Sequence, residues 1–343
     1  MTVPQISLSG GLSISRIIKG GWQLSEGHRQ QPAQNPVGDM EAFLDAGVYT
    51  FDCADIYTGV EELIGKFISE QKKKGHAANI RVLTKFVPDY DALQTITKSY
   101  VEKVIDRSLL RLGVEALDMV QFSWWNYEVK RYVETAHWLE ELRVQGKIKT
   151  ISGTNFNTTT TREILESGIK LSSLQVQYSV LDNRPEKSLV DLCLKHQVKL
   201  LCYGTVAGGF LSERWQNQPE PIAPFENRSQ IKYKLIIDAF GGWNRLQQLL
   251  ALLKTIGEKY EASITNVATA YVLSRPAVAS VIIGAGTARF LKENLHCTNF
   301  QLTAEEIESI AAFAHGPEGD VFDAERIKDG PHGKIMRYNL NNI

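Results

Sequence analysis

Cysteine is scarce in this chain: four in 343 residues, Cys53, Cys193, Cys202 and Cys297, with no CxxC pair among them. Such scattered thiols exclude a disulfide framework and read as reduced core or surface groups. The seven histidines are isolated, none in an HExxH spacing, so no bound metal is expected. Nowhere do 18 apolar residues run together, and residues 1–10 hold neither a basic nor an apolar leader-like stretch. The expectation is a cytoplasmic protein with no membrane partner. Charge of one sign is missing too: 38 basic and 39 acidic residues nearly cancel, leaving no field to draw nucleic acid. A small-molecule partner is what remains. There is also no Gly/Ser/Pro-rich or charge-rich linker, so residues 1–343 read as a single domain.

What is present is an alternation. Short β-branched or aromatic runs lie at 17–22, 49–53, 81–85, 117–122, 148–153, 172–177, 198–203 and 279–283. Between them, segments 61–70, 95–112, 129–145, 160–167, 186–196 and 243–260 repeat apolar residues at i, i+3 and i+4, which predicts helices. Eight strands separated by helices specify a closed (β/α)8 TIM barrel better than an open doubly wound sheet. Ahead of the first barrel strand, Ile6, Leu8, Leu12 and Ile14 alternate with polar residues around Gly10-Gly11, an N-terminal β-hairpin placed to close the barrel bottom. Two connections, 23–38 and 204–242, are too long for turns and are expected as loops at the C-terminal face. The polar tail 316–343 either folds over that mouth or hangs loose.

The second expected strand carries the chemistry. It reads Gly47-Val-Tyr-Thr-Phe-Asp52-Cys-Ala-Asp-Ile-Tyr57, then Gly59-Val-Glu-Glu62-Leu-Ile-Gly65, and the third ends in Lys85. An aspartate, two small residues, a tyrosine five positions on and a lysine ending the next strand resemble the aldo-keto reductase superfamily. The match continues in order through Ser152-Gly-Thr154-Asn155-Phe156, Leu174-Gln175-Val-Gln-Tyr178, Cys202-Tyr203-Gly204 and residues 284–294, spanning roughly 6–313. The resemblance implies an NADPH-dependent oxidoreductase that reduces an aldehyde or ketone, with Tyr57 as proton donor, Lys85 tuning it and Asp52 orienting Lys85. Reduction of a carbonyl leaves an alkoxide that must be protonated, which asks for such a donor. A lysine about 4 Å from a phenol is worth roughly 4 kcal/mol at an effective dielectric near 20, or about three pKa units, so Lys85 is expected to pull Tyr57 from about 10 toward neutrality.

One residue departs from the pattern. Where the family has a histidine ending the fourth strand, this chain reads Leu117-Asp118-Met-Val-Gln-Phe-Ser123-Trp124. Ser123 still donates a hydrogen bond but has shorter reach and carries no charge. The resemblance assigns Tyr203 to stacking on the nicotinamide and Thr154, Asn155 and Gln175 to its carboxamide, with Gly21 and Trp22 as further cofactor contacts. Gly204, Val206 and Gly208 offer backbone N–H groups to the pyrophosphate, as do Gly284 and Gly286 ahead of an expected helix. Phe290 stands where many relatives have a cation for the 2′-phosphate, so that role falls to Arg289 or Lys292, and NADH is not excluded. Glu293 and Asn294 match adenine contacts. Trp22, Trp124 and Trp125, at strand ends, are expected to wall an apolar substrate pocket.

Two other readings compete. A cofactor-binding regulatory or scaffold protein with weak or no turnover is favoured by Ser123. An isomerase or lyase acting on a phosphorylated substrate would use the last Gly-rich turn, but leaves Thr154, Asn155, Gln175 and Tyr203 unexplained. The substrate and oligomeric state are not readable.

Overall fold

The structure, a computed structural model, describes residues 3–25, 34–313 and 316–341. Strands β1 (Gln5–Ser7) and β2 (Ser13–Ser15) pair antiparallel as the expected hairpin. Eight parallel strands then close a barrel in chain order: β3 (Ile17–Gly20), β4 (Thr50–Asp52), β5 (Arg81–Phe86), β6 (Met119–Phe122), β7 (Ile151–Thr154), β8 (Ser173–Gln177), β9 (Lys199–Tyr203) and β10 (Val278–Gly284). The seam is β10 against β3, with Gly284 opposite Gly20. Each of the eight expected strands overlaps one of these.

Because strand side chains alternate between faces, every second residue points into the barrel. Toward the strand starts these inward residues are apolar. Ile18, Leu83, Met119, Leu201 and Ala279 cluster with Leu8, Leu12 and Ile14 of the hairpin, which plugs this end. Ser15 N–H donates to Thr50 Oγ1 at 2.8 Å, tying the hairpin to the start of β4. Farther along, the inward positions turn polar at Asp52, Lys85, Gln121 and Gln175, all buried. The outward residues face a ring of helices and form the main apolar core.

Among the described residues the helices are α1 (Pro36–Asp45), α2 (Val60–Lys74), α3 (Lys98–Leu112), α4 (Tyr132–Val144), α5 (Thr158–Glu166), α6 (Leu189–Lys195), α7 (Arg228–Phe240), α8 (Trp243–Glu258), α9 (Ile264–Leu273), α10 (Leu291–Leu295), α11 (Ala304–Ala311) and α12 (Asp323–Arg326). The six expected helices correspond to α2–α6 and α8. The long connection 204–242 is not a plain loop, since α7 fills its second half; Asn227 caps it by accepting from Gln230 N–H. The connection 23–38 ends in α1, capped by Asn35 with Pro36 at its first position. Residues 26–33 of that connection lie outside the described residues. Helix α9 is buried nearly all round, so it shows no polar face for periodicity to reveal.

The described part of the tail, 316–341, crosses the barrel mouth. Thr158 N–H donates to Asp320 Oδ2 at 2.7 Å, and Arg326 donates to the carbonyls of Trp124 and Asn155 at 3.1 and 2.7 Å. At the far end Asp89 Oδ1 accepts from Leu340 and Asn341 N–H at 2.7 and 2.8 Å. Among the described residues no helix is long and apolar enough to cross a membrane, and no three His, Cys, Asp or Glu side chains gather as a metal site.

Gly65, part of the motif after Tyr57, has a packing reason. A Cβ there would lie 2.3 Å from the Arg111 carbonyl oxygen, where α2 crosses the end of α3. Gly65→Ala is predicted to destabilise the fold by about 1–3 kcal/mol through overpacking, read as a lower urea midpoint at unchanged slope. An unshifted midpoint would refute this account of the close approach.

Candidate active site

The strand ends bring Asp52, Lys85, Gln121 and Gln175 into one buried layer. Lys85 Nζ donates to both Asp52 oxygens, at 2.9 and 2.7 Å, and to the Cys53 carbonyl at 2.8 Å. Asp52 Oδ1 also accepts from Gln121 Nε2 at 2.8 Å and Gln175 Nε2 at 2.7 Å. Gln175 donates in addition to Gln121 Oε1 at 2.7 Å. A buried ion pair recovers its desolvation cost only when its remaining lone pairs are satisfied, and here two amides do so. Burial lowers the Lys85 pKa, the Asp52 carboxylate more than reverses this, and the ammonium ends above its ordinary value.

Tyr57 stands over this pair. Its ring lies 5.1 Å from Lys85 Nζ and 5.1 Å from the Trp22 ring, the latter tilted by 57°. The expected drop in the Tyr57 pKa is not what the geometry produces. Burial raises the phenol above its ordinary value by more than the Lys85 charge lowers it. The arrangement therefore holds a protonated phenol beside a fixed cation.

Ser123 is buried, and its N–H donates to the Phe86 carbonyl at 3.0 Å, anchoring the end of β6 to β5. Its hydroxyl makes no hydrogen bond among the described residues. Ser123 shares the inward phase of Gln121, which sends Trp124 outward. Fully buried, Trp124 packs against Phe122 and Tyr132 and donates from Nε1 to the carbonyls of Asn126 and Val129, both at 3.0 Å. That corrects its expected place in a pocket wall: the ring is enclosed on the outward side with Phe122, against Tyr132 of α4. Trp125 returns to the mouth, its ring 5.0 Å from Tyr338 of the tail.

Of the expected carboxamide contacts, Asn155 and Tyr203 meet directly: Tyr203 Oη donates to Asn155 Oδ1 at 2.9 Å. Asn155 holds a left-handed backbone, φ 59°, immediately after β7. Thr154 Oγ1 is buried with no partner among the described residues. Gln175 is different, because its amide N–H groups are engaged with Asp52 and Gln121. The 204–211 segment curls on itself, with Ala207 N–H on the Gly204 carbonyl and the N–H groups of Gly209 and Leu211 on Val206. Those three donors are engaged within the segment, and the N–H groups of Gly204, Val206 and Gly208 expected for the pyrophosphate are not among them. Glycine is needed here for another reason: a Cβ at Gly204 would meet Tyr233 Oη at 2.2 Å, and one at Gly208 the same ring at 2.8 Å.

Gly21 passes so close to β4 that a Cβ would lie 2.6 Å from the Asp52 carbonyl. On the last segment Gly286 is buried, while Gly284, Arg289, Lys292 and Glu293 are exposed. The expected helix there, α10, starts only at Leu291 and spans five residues, so it offers little of a helix dipole at Gly284 or Gly286. Asn294 N–H donates to the Phe290 carbonyl within that turn.

Sequence reasoning missed Gln121, although a glutamine two residues before Ser123 in a strand shares its face. It also missed Tyr233 and Arg326, which reach the mouth from α7 and α12. The Arg326 guanidinium lies 4.1 Å from the Tyr127 ring centroid, and no strand periodicity signals such a contact.

A closed parallel barrel with a lysine–carboxylate pair and a tyrosine at its strand ends has the design of a barrel enzyme working at its C-terminal face. The chain belongs to the Aldo/keto reductase family, whose model matches residues 16–315. It is 28% identical over 283 residues to the aldo-keto reductase str7 of Strobilurus tenacellus, covering 81% of each chain. To the NADH-specific methylglyoxal reductase of Escherichia coli it is 24% identical over 315 residues, covering 85% of this chain and 92% of the other. The silkworm (Bombyx mori) aldo-keto reductase solved with NADPH superposes with a TM-score of 0.71 at 22% identity, covering 92% and 89%. The protein is an oxidoreductase of this family, acting on carbonyl compounds.

Asp55, between Asp52 and Tyr57, is buried, accepts from Val87 N–H at 3.0 Å, and has its pKa pushed up to about 8 by that burial. A raised acid pKa adds stability that is full below the unfolded value and lost as pH climbs through the folded one. Melting temperature is thus predicted to fall between about pH 4 and about pH 8, and Asp55→Asn, which keeps the acceptor without the charge, to flatten that slope. Parallel melting profiles for the two proteins would show that Asp55 does not cause it.

Proposed function

We propose that the protein reduces an aldehyde or ketone to an alcohol with hydride from NADPH, with Tyr57 as proton donor. The observation that carries this reading is Lys85, locked on both Asp52 oxygens and set 5.1 Å from the Tyr57 ring. Bound NADPH supplies the hydride. The residues present suit that group: Thr154 Oγ1 is a buried orphan next to Asn155, whose side chain meets Tyr203. Thr154, Asn155 and Tyr203 would hold the nicotinamide end, and Gly284, Gly286 and Arg289 the adenosine end.

Tyr57 Oη keeps its proton at neutral pH because burial raises its pKa. As the carbonyl carbon gains hydride its oxygen becomes an alkoxide, far more basic than a phenol, and takes the Tyr57 proton. The phenolate left behind faces the Lys85 ammonium, and Asp52 keeps that ammonium charged. Ser123 offers its free hydroxyl to the substrate oxygen in place of a histidine. Removing one phenolic oxygen tests the assignment: Tyr57→Phe is expected to lower turnover by about 10² to 10⁴-fold with NADPH affinity within a fewfold. A variant retaining most of the activity would exclude Tyr57 as donor, and a wild type that binds NADPH but reduces no carbonyl would make the protein a regulatory binder.

NADPH is preferred over NADH in this reading because Arg289 and Lys292 stand exposed on the last segment. Replacing both with Gln is expected to cost roughly ten- to a hundredfold in NADPH affinity, the value of lost charge-assisted bonds. Equal affinity of the unaltered protein for both dinucleotides, by tryptophan quenching, would refute the preference, and tighter NADH binding would reverse it.

A further inference from the structure

A cation at the barrel mouth lacks the partner its surroundings call for. Lys232, on α7, points its Nζ at three aromatic rings: Tyr203 at 4.9 Å, Phe322 at 5.5 Å and Tyr233 at 5.6 Å. Two carboxylates lie within electrostatic reach, but both are consumed by Arg184. That guanidinium donates to Asp182 Oδ1 and Oδ2 at 2.8 and 2.7 Å and to both Glu325 oxygens at 3.0 Å, all three side chains fully buried. Among the described residues Lys232 makes neither a hydrogen bond nor an ion pair. The rings are the contacts the ammonium has, and burial lowers it to about 8. A half-buried ammonium set against rings, with no bonded anion among the described residues, is a site that an anionic ligand would complete.

We infer that Lys232 binds an anionic group, a carboxylate, on the carbonyl substrate. The placement favours the substrate over the cofactor's pyrophosphate. Lys232 lies between Tyr203 and Phe322 of the tail, on the side where Arg326 clamps the tail to Asn155. Tyr233, the next residue on α7, lies against Gly204, directly after Tyr203, so this stretch of helix borders the end of β9. None of the contacts described for Lys232 reaches residues 284–294. A carbonyl compound with a carboxylate a few bonds away would have its carbonyl at Tyr57 and its charge at Lys232. This inference rests on the carbonyl-reductase reading above and names its substrate class.

The test compares two aldehydes of equal chain length, 4-oxobutanoate and butanal, with NADPH and with wild type, Lys232→Gln and Lys232→Arg. Wild type is expected to favour 4-oxobutanoate in kcat/KM by at least tenfold. In Lys232→Gln the ratio should fall to near one, chiefly through KM, whereas Lys232→Arg, which keeps the charge, should retain much of it. NADPH affinity should stay within twofold. Equal use of both aldehydes by wild type, or an unchanged ratio in Lys232→Gln, overturns the inference while leaving reductase function intact. A tenfold loss of NADPH affinity in Lys232→Gln, with both aldehydes affected alike, also overturns it and assigns the lysine to the pyrophosphate. If neither aldehyde is reduced, succinate binding to the NADPH-saturated protein decides: weakening by tenfold or more in Lys232→Gln sustains the anion site, and equal binding removes it.

Discussion

The arrangement at the mouth depends on one buried ion pair, Lys85 with Asp52. Two charges taken out of water are a liability unless their hydrogen-bonding capacity is filled, and the barrel fills it from two other strands and a backbone carbonyl. Gln121 on β6, Gln175 on β8 and the Cys53 carbonyl after β4 complete the shell. Removing either amide would leave Asp52 short of donors in a layer sealed below by the hairpin plug. The pair thus links catalytic geometry to barrel closure, since its members keep their places only while the strands hold register.

Above that layer the mouth is finished by elements outside the βα repeat. Helix α7 lays Tyr233 on Gly204 and Gly208, and the tail spans from Asp320 on Thr158 to Asn341 on Asp89. Arg326 joins the two systems by gripping the carbonyls of Trp124 and Asn155 from the tail. Strand ends therefore hold the Asp52–Lys85 pair with Tyr57 over it, whereas α7 and the tail finish the mouth around them. The Lys232 ammonium, without an ion-pair partner among the described residues and set between Tyr203 and Phe322, belongs to this second system.

The reversal at Tyr57 has a plain electrostatic cause. A lysine nearby lowers a phenol's pKa, but enclosing the same phenol opposes its ionisation, and the second effect is larger here. For a proton donor this direction is useful, because the phenol arrives protonated and the fixed ammonium assists only once negative charge develops. Asp55, three residues along from Asp52, responds to the same enclosure without a bonded cation and is raised to about 8.

The sequence by itself determined the eight strands, the hairpin and the family motif with Asp52, Tyr57 and Lys85, because each is written in local periodicity or short spacing. It also placed α2–α6 and α8, whose apolar stripes face the sheet. It did not reveal α9, buried on nearly every side, or α7, whose signal is masked by the prolines before it. Tertiary structure alone decided that Trp124 faces outward beside an inward Ser123, that Gln175 is engaged with Asp52, and that Lys232 faces rings rather than carboxylates. Those outcomes depend on strand register, on burial, and on contacts between residues far apart in the chain, such as Arg326 with Trp124, 202 positions away. No local pattern encodes such distances: a side chain's partner across the barrel is chosen by closure, and its charge state by how completely that closure excludes water.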